Sequence, residues 1–520
     1  MEKPHNPSVL RSAAMMSAAT LLSRILGMIR DMVIAAYFSR MVSDAFVVAF
    51  RLPNLFRRIL GEGSLAASFV PLYVESLHRD RQTPGADEAG RFSRAVFSML
   101  CVLTATLSVL GTIYMDLIMA HLVGGESYMS VPGKYELTVW LARIMFCYLF
   151  LVTTYAFYMS LANAHKVFFL PALAPAGFNV VTIVMSFLPD GRMRGDQLAW
   201  GVTVGGVLQL IMALQPLWER RVLPRWTLNW SAPNVSKFFQ TVLPSMLGMS
   251  VAQLLGILNV NFASRLDQGT HSYIYFADRL VEFPQSLLSV SLGVALLPTL
   301  SELWVRGERQ KFLDTAQKHV RLLSTLSLPA AVGLYVLAEP IVRVIYGRGQ
   351  FNEEDVSRTG QVLAIYAIIL VVSGLHRVTV PCFYAIKNTW LPAANSAFCL
   401  LVHFFVAGWA TDHYGLNGLV SATAFTGALN LGILLLSYKI IFGDLGFGSY
   451  ARSVAWLTPS LVAMGLAALG TDSYLTFLPS LIRLSVSILT AVVVFFGVNK
   501  LLKHEEVLEI MTLLLRRFRK

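Results

Sequence analysis

The sequence predicts an all-α polytopic membrane protein of about 14 transmembrane helices, built as two parallel-repeat six-helix lobes plus two C-terminal helices. Three observations predict it. Hydrophobic residues make up 55% of the chain and charged residues only 14%, where soluble domains carry about 25% charged residues. Apolar runs of about 20 residues or more, the length needed to cross a bilayer, follow one another from Leu10 almost to the C-terminus, and no soluble domain of useful size fits between them. The chain also repeats itself in one orientation.

In order, the predicted spans are 10–38, 43–77, 92–122, 135–163, 169–189, 197–217, 237–265, 271–303, 314–338, 357–386, 389–412, 416–441, 450–471 and 477–501. The first is a span and not a signal peptide, because Arg24, Arg30 and Asp31 interrupt its apolar core and more apolar segments follow. The predicted domains are an N-terminal six-helix lobe over 1–221, a cytoplasmic linker over 222–237 containing Pro224 and Pro233, and a C-terminal six-helix lobe over 238–441. Two additional transmembrane helices within 442–503 follow, then an amphipathic basic cytoplasmic tail over 504–520. The tail, HEEVLEIMTLLLRRFRK, alternates apolar and charged residues at helical spacing, as an interfacial helix does.

The net charge is +12. In a soluble protein such an excess would suggest nucleic acid, but here it collects in alternate connections. These hold Arg79, Arg81 and Arg91; Lys166; Arg220, Arg221 and Arg225; Arg306, Arg309 and Lys311; Lys387; and Lys439. The tail adds Arg516, Arg517, Arg519 and Lys520. The positive-inside rule places these connections and both termini in the cytoplasm, with an even number of spans. No nucleic-acid partner is expected. The cysteines Cys101, Cys147, Cys382 and Cys399 lie in apolar runs without C-x-x-C spacing and are predicted to be buried structural thiols.

The repeat is read from three matches in order. ANAHKVFFLPA matches FYAIKNTWLPA, with Ala164, Lys166, Leu170, Pro171 and Ala172 against Ala385, Lys387, Leu391, Pro392 and Ala393. The same offset pairs Gly206, Leu208, Gln209 and Leu210 with Gly427, Leu429, Asn430 and Leu431. Upstream, AFRL (Ala49 to Leu52) matches ADRL (Ala277 to Leu280), and PLYVE from Pro71 matches PTLSE from Pro298. Matching segments are six spans apart, so the halves share one orientation. Parallel repeats about an axis along the membrane normal are a transporter architecture, with the substrate site expected between the lobes.

The deep charges are the chemical signal. On a helical wheel, Ser17, Thr20, Ser23, Arg24, Gly27, Arg30 and Asp31 fall within a sector roughly 140° wide, opposite Leu21, Leu22, Ile25, Leu26, Met28, Ile29, Met32 and Val33. An arginine at mid-membrane costs at least about 2.5–3.5 kcal/mol, so this stripe must face protein or water. The second span, DAFVVAFRLPNLFRRILGEGS, holds Asp44, Arg51, Asn54, Arg57, Arg58 and Glu62, with Pro53, Gly61 and Gly63 allowing a bend or break. The repeat-related eighth span carries Asp278, Arg279 and Glu282. Arg24, Arg30, Arg57 and Arg279 are the strongest deep cations. They could simply pair with Asp31, Asp44, Glu62, Asp278 and Glu282 to pin helices. Spread over three helices and offering bidentate forks, they read better as a cationic cavity for an anionic substrate, a phosphate or diphosphate.

Other patterns carry less. GVTVGG is a small-residue helix face, since no strand precedes it as a nucleotide loop requires. The histidines lack ligand spacing, no metal site is expected, and no catalytic Ser/His/Asp or paired-carboxylate arrangement can be argued. GRGQFNEEDV reads as an outside turn followed by an acidic helix start.

The stretches SRILGMIRD, DAFVVAFRLPNLFRRILGEGSLAASFVP, YFADRLVEFPQSLLSVSLGVALLPTLS, YGRGQF and LAWGVTVGGVLQL resemble the MurJ family of bacterial lipid II flippases. That family belongs to the multidrug/oligosaccharidyl-lipid/polysaccharide exporter superfamily, and the resemblance runs from about residue 10 to the end. It implies fourteen spans in the same two-lobe arrangement, within the bacterial cytoplasmic (inner) membrane. It also implies a non-enzymatic function in peptidoglycan synthesis. The undecaprenyl-diphosphate-linked disaccharide-pentapeptide, lipid II, would pass from inner to outer leaflet by alternating access, its tail following a groove formed by the last two spans.

By the same resemblance, the substrate-binding cavity residues fall on Arg24, Arg30, Arg57 and Arg279. Supporting polar or gating residues fall on Ser23, Asp31, Asp44, Asn54, Glu62, Asp278 and Glu282. Some members are said to bind sodium through acidic residues of the C-terminal lobe. Here the corresponding spans offer Asn259, Asn261, Asn395 and Asn430 without a mid-span carboxylate, so membrane potential competes with a monovalent cation as the coupling source. No cofactor is expected. The expected partners are lipid II, membrane lipids and cell-wall synthesis proteins, and the chain is expected to be a monomer. Competing functions are another lipid-linked oligosaccharide exporter, a cation-coupled multidrug exporter, which would want an acidic cavity, and a membrane-embedded enzyme acting on prenyl phosphates, which would want a base or metal motif beside the cations.

Overall fold

The computed structural model describes residues 7–61, 64–83, 85–444 and 446–518, with the side chains of 7–14, 60–61, 64, 244–245, 247–249, 251–252, 287–295, 447 and 513–518 outside that description. Lipid offers no hydrogen bonds to a backbone, so a chain this apolar must satisfy its amides internally, and helices do so within one segment. Among the described residues the regular structure is helical throughout. The chain forms two compact units, Met1–Ser272 and Tyr273–Lys520.

The first unit contains α1 (Pro7–Tyr37), α2 (Arg40–Phe56), a π-helical turn (Arg57–Gly61), α3 (Ser64–Gln82), α4 (Glu88–Ile113), α5 (Met115–Leu122), α6 (Glu126–Met129), α7 (Lys134–Phe146), α8 (Tyr148–Ala164), α9 (Phe169–Met185), α10 (Asp196–Glu219) and α11 (Val235–Ala263). Helix α12 (Thr270–Val305) starts at the end of the first unit and belongs to the second from Tyr273 onward. It is followed by α13 (Arg309–Val336), α14 (Ala338–Tyr346), α15 (Glu353–Ala385), α16 (Trp390–Phe442), α17 (Phe447–Tyr474), α18 (Ser480–Leu501) and α19 (Glu505–Phe518). Among the described residues helix occupies most of each predicted span, and eight segments are long and apolar enough to cross a membrane by length and composition. The chain is an all-α, multi-pass membrane protein.

Three predicted spans are broken where a continuous apolar run suggested one helix. In the second, Pro53 lies inside α2 without an N–H to give the ladder, and the Arg57 N–H is shared between the carbonyls of Pro53 and Asn54 at the entry to the π turn. In the third and fourth, the helix is interrupted at Tyr114 and Cys147. Cys147 was predicted to be buried and is exposed, because it lies on the outward side of its helix with Arg143, four residues earlier; Cys101, Cys382 and Cys399 are buried. The eleventh and twelfth spans are joined in α16 through Gly415, whose φ of 58° and ψ of −136° turn the chain between them.

The GVTVGG face acts as the sequence implied. Gly201, Gly205 and Gly206 bring α10 against α9 and α8. A Cβ at Gly205 would lie 2.9 Å from a Phe178 ring carbon, and one at Gly206 would lie 2.5 Å from the Tyr148 ring. The repeat is visible in the backbone. Lys166 after α8 and Lys387 after α15 take φ of 59° and 61°. The following amides reach back five residues, Val167 to the Ala162 carbonyl at 2.9 Å and Asn388 to the Phe383 carbonyl at 3.0 Å. Helix α15 starts on a capping box in which the Asn352 side chain accepts from the Glu354 and Asp355 amides. The tail helix α19 does not stand alone: Val507 is buried in the second unit's core with Leu337, Leu457 and Leu484, while Lys318–Glu509 and Arg321–Glu506 pair at 2.9 and 3.2 Å.

One polar contact ties the start of α2 to the start of α7. Asp44 is 0% exposed and Lys134 2%, and Lys134 Nζ donates to Asp44 Oδ2 at 2.8 Å. The Gly269 amide donates to the same oxygen at 2.7 Å, and the Ser272 amide and hydroxyl donate to Oδ1 at 3.0 and 2.7 Å. The Lys134 ammonium also lies 4.1 Å from the Tyr128 ring centroid. Four donors and a π face replace the water both charges have lost, so the carboxylate is fully satisfied.

Removing one member of a buried pair strands the other and costs about 3–5 kcal/mol. Asp44→Ala is expected to lower the melting temperature of the purified protein sharply, whereas Asp44→Leu combined with Lys134→Met recovers a large part of the loss. If the single and double variants melt alike, the pair is not what holds this region. Gly205→Leu is expected to lose about 1–3 kcal/mol through overpacking, while Gly432→Ala, where an added Cβ meets nothing within 4 Å, leaves the melting temperature unchanged or slightly raised.

Candidate cationic sites

The polar stripe of α1 packs on α9 through Asn179. Its Nδ2 donates to the Ser23 carbonyl at 2.9 Å, and its Oδ1 accepts from Arg30 Nη1 at 3.2 Å. Gly27 gives the amide room, since a Cβ there would lie 3.5 Å from Nδ2. Arg30 also donates from Nε and Nη2 to Asp31 Oδ1, at 3.1 and 2.7 Å. Arg30 is 5% exposed and Asp31 1%, and the guanidinium lies 6.0 Å from the Phe50 centroid. Asp31 thus pairs with its sequence neighbour, and Arg30 is oriented by a carboxylate and an amide together. Arg24 differs. It is exposed, and among the described residues it has no hydrogen bond or ion pair.

The break in α2 builds the next cation. Arg57 opens the π turn and donates from Nε to Asn54 Oδ1 at 2.9 Å, so two residues three apart meet where the helix loosens. π-Helical turns inside helices are often found at functional sites. Arg51 packs against α11, with Nη2 1.8 Å from where a Cβ on Gly256 would be. A side chain at Gly256 would make the guanidinium move. Glu62 lies outside the described residues. Asp44, predicted among the supporting or gating residues, is held by Lys134 and the chain leading into α12, as described above.

In the second unit, Arg279 on α12 donates from Nη1 to Glu282 Oε2 at 2.7 Å and from Nη2 to the Tyr275 hydroxyl at 3.2 Å. Its guanidinium carbon is 5.0 Å from the Tyr275 centroid. Asp278, its neighbour, is half-buried. Tyr273, also on α12, donates to Asp355 Oδ1 at 2.9 Å.

The asparagines noted in the sequence do not all serve one site. Asn395 Nδ2 donates to the Asn430 carbonyl and Oδ1 at 2.8 and 3.1 Å, and Asn430 Oδ1 is 2.7 Å from His376 Nε2. Asn261 instead donates to the carbonyls of His121 and Leu122. The sequence reading missed Lys134, Asn179, Tyr275 and His376. Lys134 directly follows Pro132 and Gly133 at a helix start, a signal that could have marked it. The others carry no local signal.

The family model described as Lipid II flippase MurJ matches residues 34–495. A relative in Bdellovibrio bacteriovorus named "Probable lipid II flippase MurJ" is 40% identical over 514 residues, covering 97% of each chain. The Burkholderia cenocepacia "Lipid II flippase MurJ" is 32% identical over 467 residues, covering 88% of each. In fold, the chain is similar to a solved lipid II flippase MurJ in an inward closed conformation, with TM-score 0.77 and 24% identity over 94% of this chain and 98% of that one. It is also similar to an inward-facing multidrug resistance MATE family transporter, with TM-score 0.66 and 15% identity over 83% and 98%. Matched over most of its length, the chain belongs to the lipid II flippase MurJ family.

Proposed function

We propose that this chain carries lipid II from the inner to the outer leaflet of the bacterial cytoplasmic membrane by alternating access, with both termini in the cytoplasm. The reading extends to this chain the activity that names its relatives. The observation that carries it is the treatment of the α1 cations. Arg30 is clamped by Asp31 and Asn179, while Arg24, on the same stripe, is exposed and has no protein partner among the described residues. An unpaired arginine on a membrane helix is costly enough to mark a functional site, and its planar fork suits a diphosphate.

Arg24, Arg30, Arg57 and Arg279 would hold the diphosphate, and Ser23, Asp31, Asn54, Asp278 and Glu282 would set their orientation. Because Arg30, Arg57 and Arg279 are each held by a neighbouring side chain, binding would require little new ordering of long side chains. Membrane potential, acting on a charged cargo, or a monovalent cation would supply the drive, and the protein would act as a monomer without a chemical step. A multidrug exporter of the same superfamily fits less well, since the deep stripe presents cations to its cargo.

Arg24→Ala, Arg30→Ala and Arg279→Ala are each expected to fail to sustain growth of a flippase-depleted strain at normal protein level. Full growth from all three variants would remove these residues from the site. Asn179→Leu, which strips one support from Arg30 and leaves every cation in place, is expected to reduce the rate at which lipid II becomes accessible in the outer leaflet by about tenfold, corresponding to the loss of one charge-assisted hydrogen bond. An unchanged rate would show that Arg30 needs no positioning by α9.

A further inference from the structure

Four helices of this chain end in the same unusual way. The residues that follow α8, α10, α15 and α18 at the C-terminal cap are Lys166, Arg221, Lys387 and Lys503, and their φ values are 59°, 58°, 61° and 54°. In each case the next amide reaches back five residues: Val167 to Ala162 at 2.9 Å, Val222 to Leu217 at 3.1 Å, Asn388 to Phe383 at 3.0 Å and His504 to Asn499 at 3.0 Å. This cap normally takes glycine, because a left-handed backbone disfavours any side chain with a Cβ. The chain uses glycine in the same motif after α12, where Gly307 has φ of 74° and the Glu308 amide bonds the Leu303 carbonyl at 3.0 Å. The motif itself therefore does not need a basic residue.

The usual local explanation is that a basic side chain bonds the last helix carbonyls. Here all four side chains are exposed, and among the described residues none makes a hydrogen bond or ion pair. The positive-inside rule does not account for the position either. It asks for basic residues anywhere in the flanking connections, not at the one position where the backbone resists a side chain.

We propose that these four caps hold the phosphate groups of anionic membrane lipids. In the topology read from the sequence they close the fourth, sixth, tenth and fourteenth spans, which end on one face of the membrane. Packing within each unit agrees. Arg220 Nη1 donates to the His165 carbonyl at 3.1 Å, so the ends of α8 and α10 are neighbours. In the second unit, Phe383 near the end of α15 meets Phe442, which stacks on Phe312 at the start of α13, and α19, following Lys503, pairs with Lys318 of that helix.

The depth is marked independently. Each cap lies within three residues of a large exposed apolar side chain: Phe169 at 45%, Trp218 at 69%, Trp390 at 79% and Leu501 at 84%. Tryptophans collect at headgroup level, so Trp218 and Trp390 place the Arg221 and Lys387 caps where a guanidinium or ammonium meets lipid phosphate. A cap projects its charge outward from the helix end, where the negative end of the helix dipole favours the cation and leaves its donors for an external anion.

The test uses the purified full chain, stripped of native lipid in detergent, with melting temperature followed against added phosphatidylglycerol, phosphatidylcholine or inorganic phosphate. Phosphatidylglycerol is expected to raise the melting temperature more than the other two. Replacing all four caps with glutamine should raise the phosphatidylglycerol concentration needed for half the effect by at least about tenfold, as each charge near an anionic surface is worth about fivefold. Replacing all four with glycine should give a protein that melts higher than the glutamine form in phosphatidylcholine, because the backbone is relieved, yet responds to phosphatidylglycerol as weakly. An unchanged phosphatidylglycerol response in both variants would overturn the proposal, and so would equal stabilisation by inorganic phosphate. The readout is lipid-dependent stability, so it stands or falls separately from lipid II transport.

Discussion

A charge inside a hydrocarbon layer must find a partner or water, and the polar architecture of this protein follows from how each charge meets that constraint. Asp44 and Lys134 meet it completely, with every Asp44 oxygen taken by donors from Lys134, Gly269 and Ser272. Such a pair has little left to offer a ligand and acts as a structural tie. Arg30 meets it within its own unit, through Asp31 and Asn179, and so keeps a fixed orientation. Arg24 meets it by exposure. The gradation runs from caged, through clamped, to exposed, and of these three cases only the exposed Arg24 keeps its side chain without a protein partner among the described residues.

The backbone obeys the same constraint. Where a proline or a turn removes a ladder bond in a membrane, the orphaned groups must be satisfied nearby. At Arg57 the amide is shared between two carbonyls and the side chain returns to Asn54, so the break and the placement of the cation are one event. At Gly256 the absence of a side chain admits Arg51. Deep arginines here are accommodated by local irregularity as much as by carboxylates.

Much of this was legible in the sequence, because apolar run length and the α1 stripe depend only on local order. The α1 reading placed Ser23, Gly27 and Arg30 on one face, and that face meets Asn179. What could not be read was the partner, since Asn179 lies 149 residues away in sequence from Arg30 and nothing in FLPALAPAGFNVV distinguishes it from an ordinary helix polar residue. Lys134 was passed over for a related reason: a lysine at a helix start in a connecting loop reads as a solvated end, and only the fold brings Asp44 to it. Cys147 failed because a continuous apolar run does not show which helix side turns outward. Pro53 did announce a break, but not that the chain would resolve it as a π turn.

The repeat offers a further comparison. At the offset set by Ala164 and Ala385, Lys134 corresponds to Asp355. At the offset set by Arg51 and Arg279, Asp44 corresponds to Ser272 and Ala45 to Tyr273. In the first unit Asp44 bonds Lys134, and in the second Tyr273 bonds Asp355. Each half thus fastens the start of its second predicted span to the start of its fourth through a buried polar contact, at equivalent positions on the fourth span and at positions one residue apart on the second, with different chemistry. An ion pair strands a full charge when it opens, whereas a tyrosine leaving a carboxylate that also caps α15 strands a neutral hydroxyl and leaves the acid the Asn352 amide as a donor. The two halves keep the geometry of the tie while differing in the penalty for releasing it. A duplicated fold can therefore hold one half more firmly than the other without changing its helices.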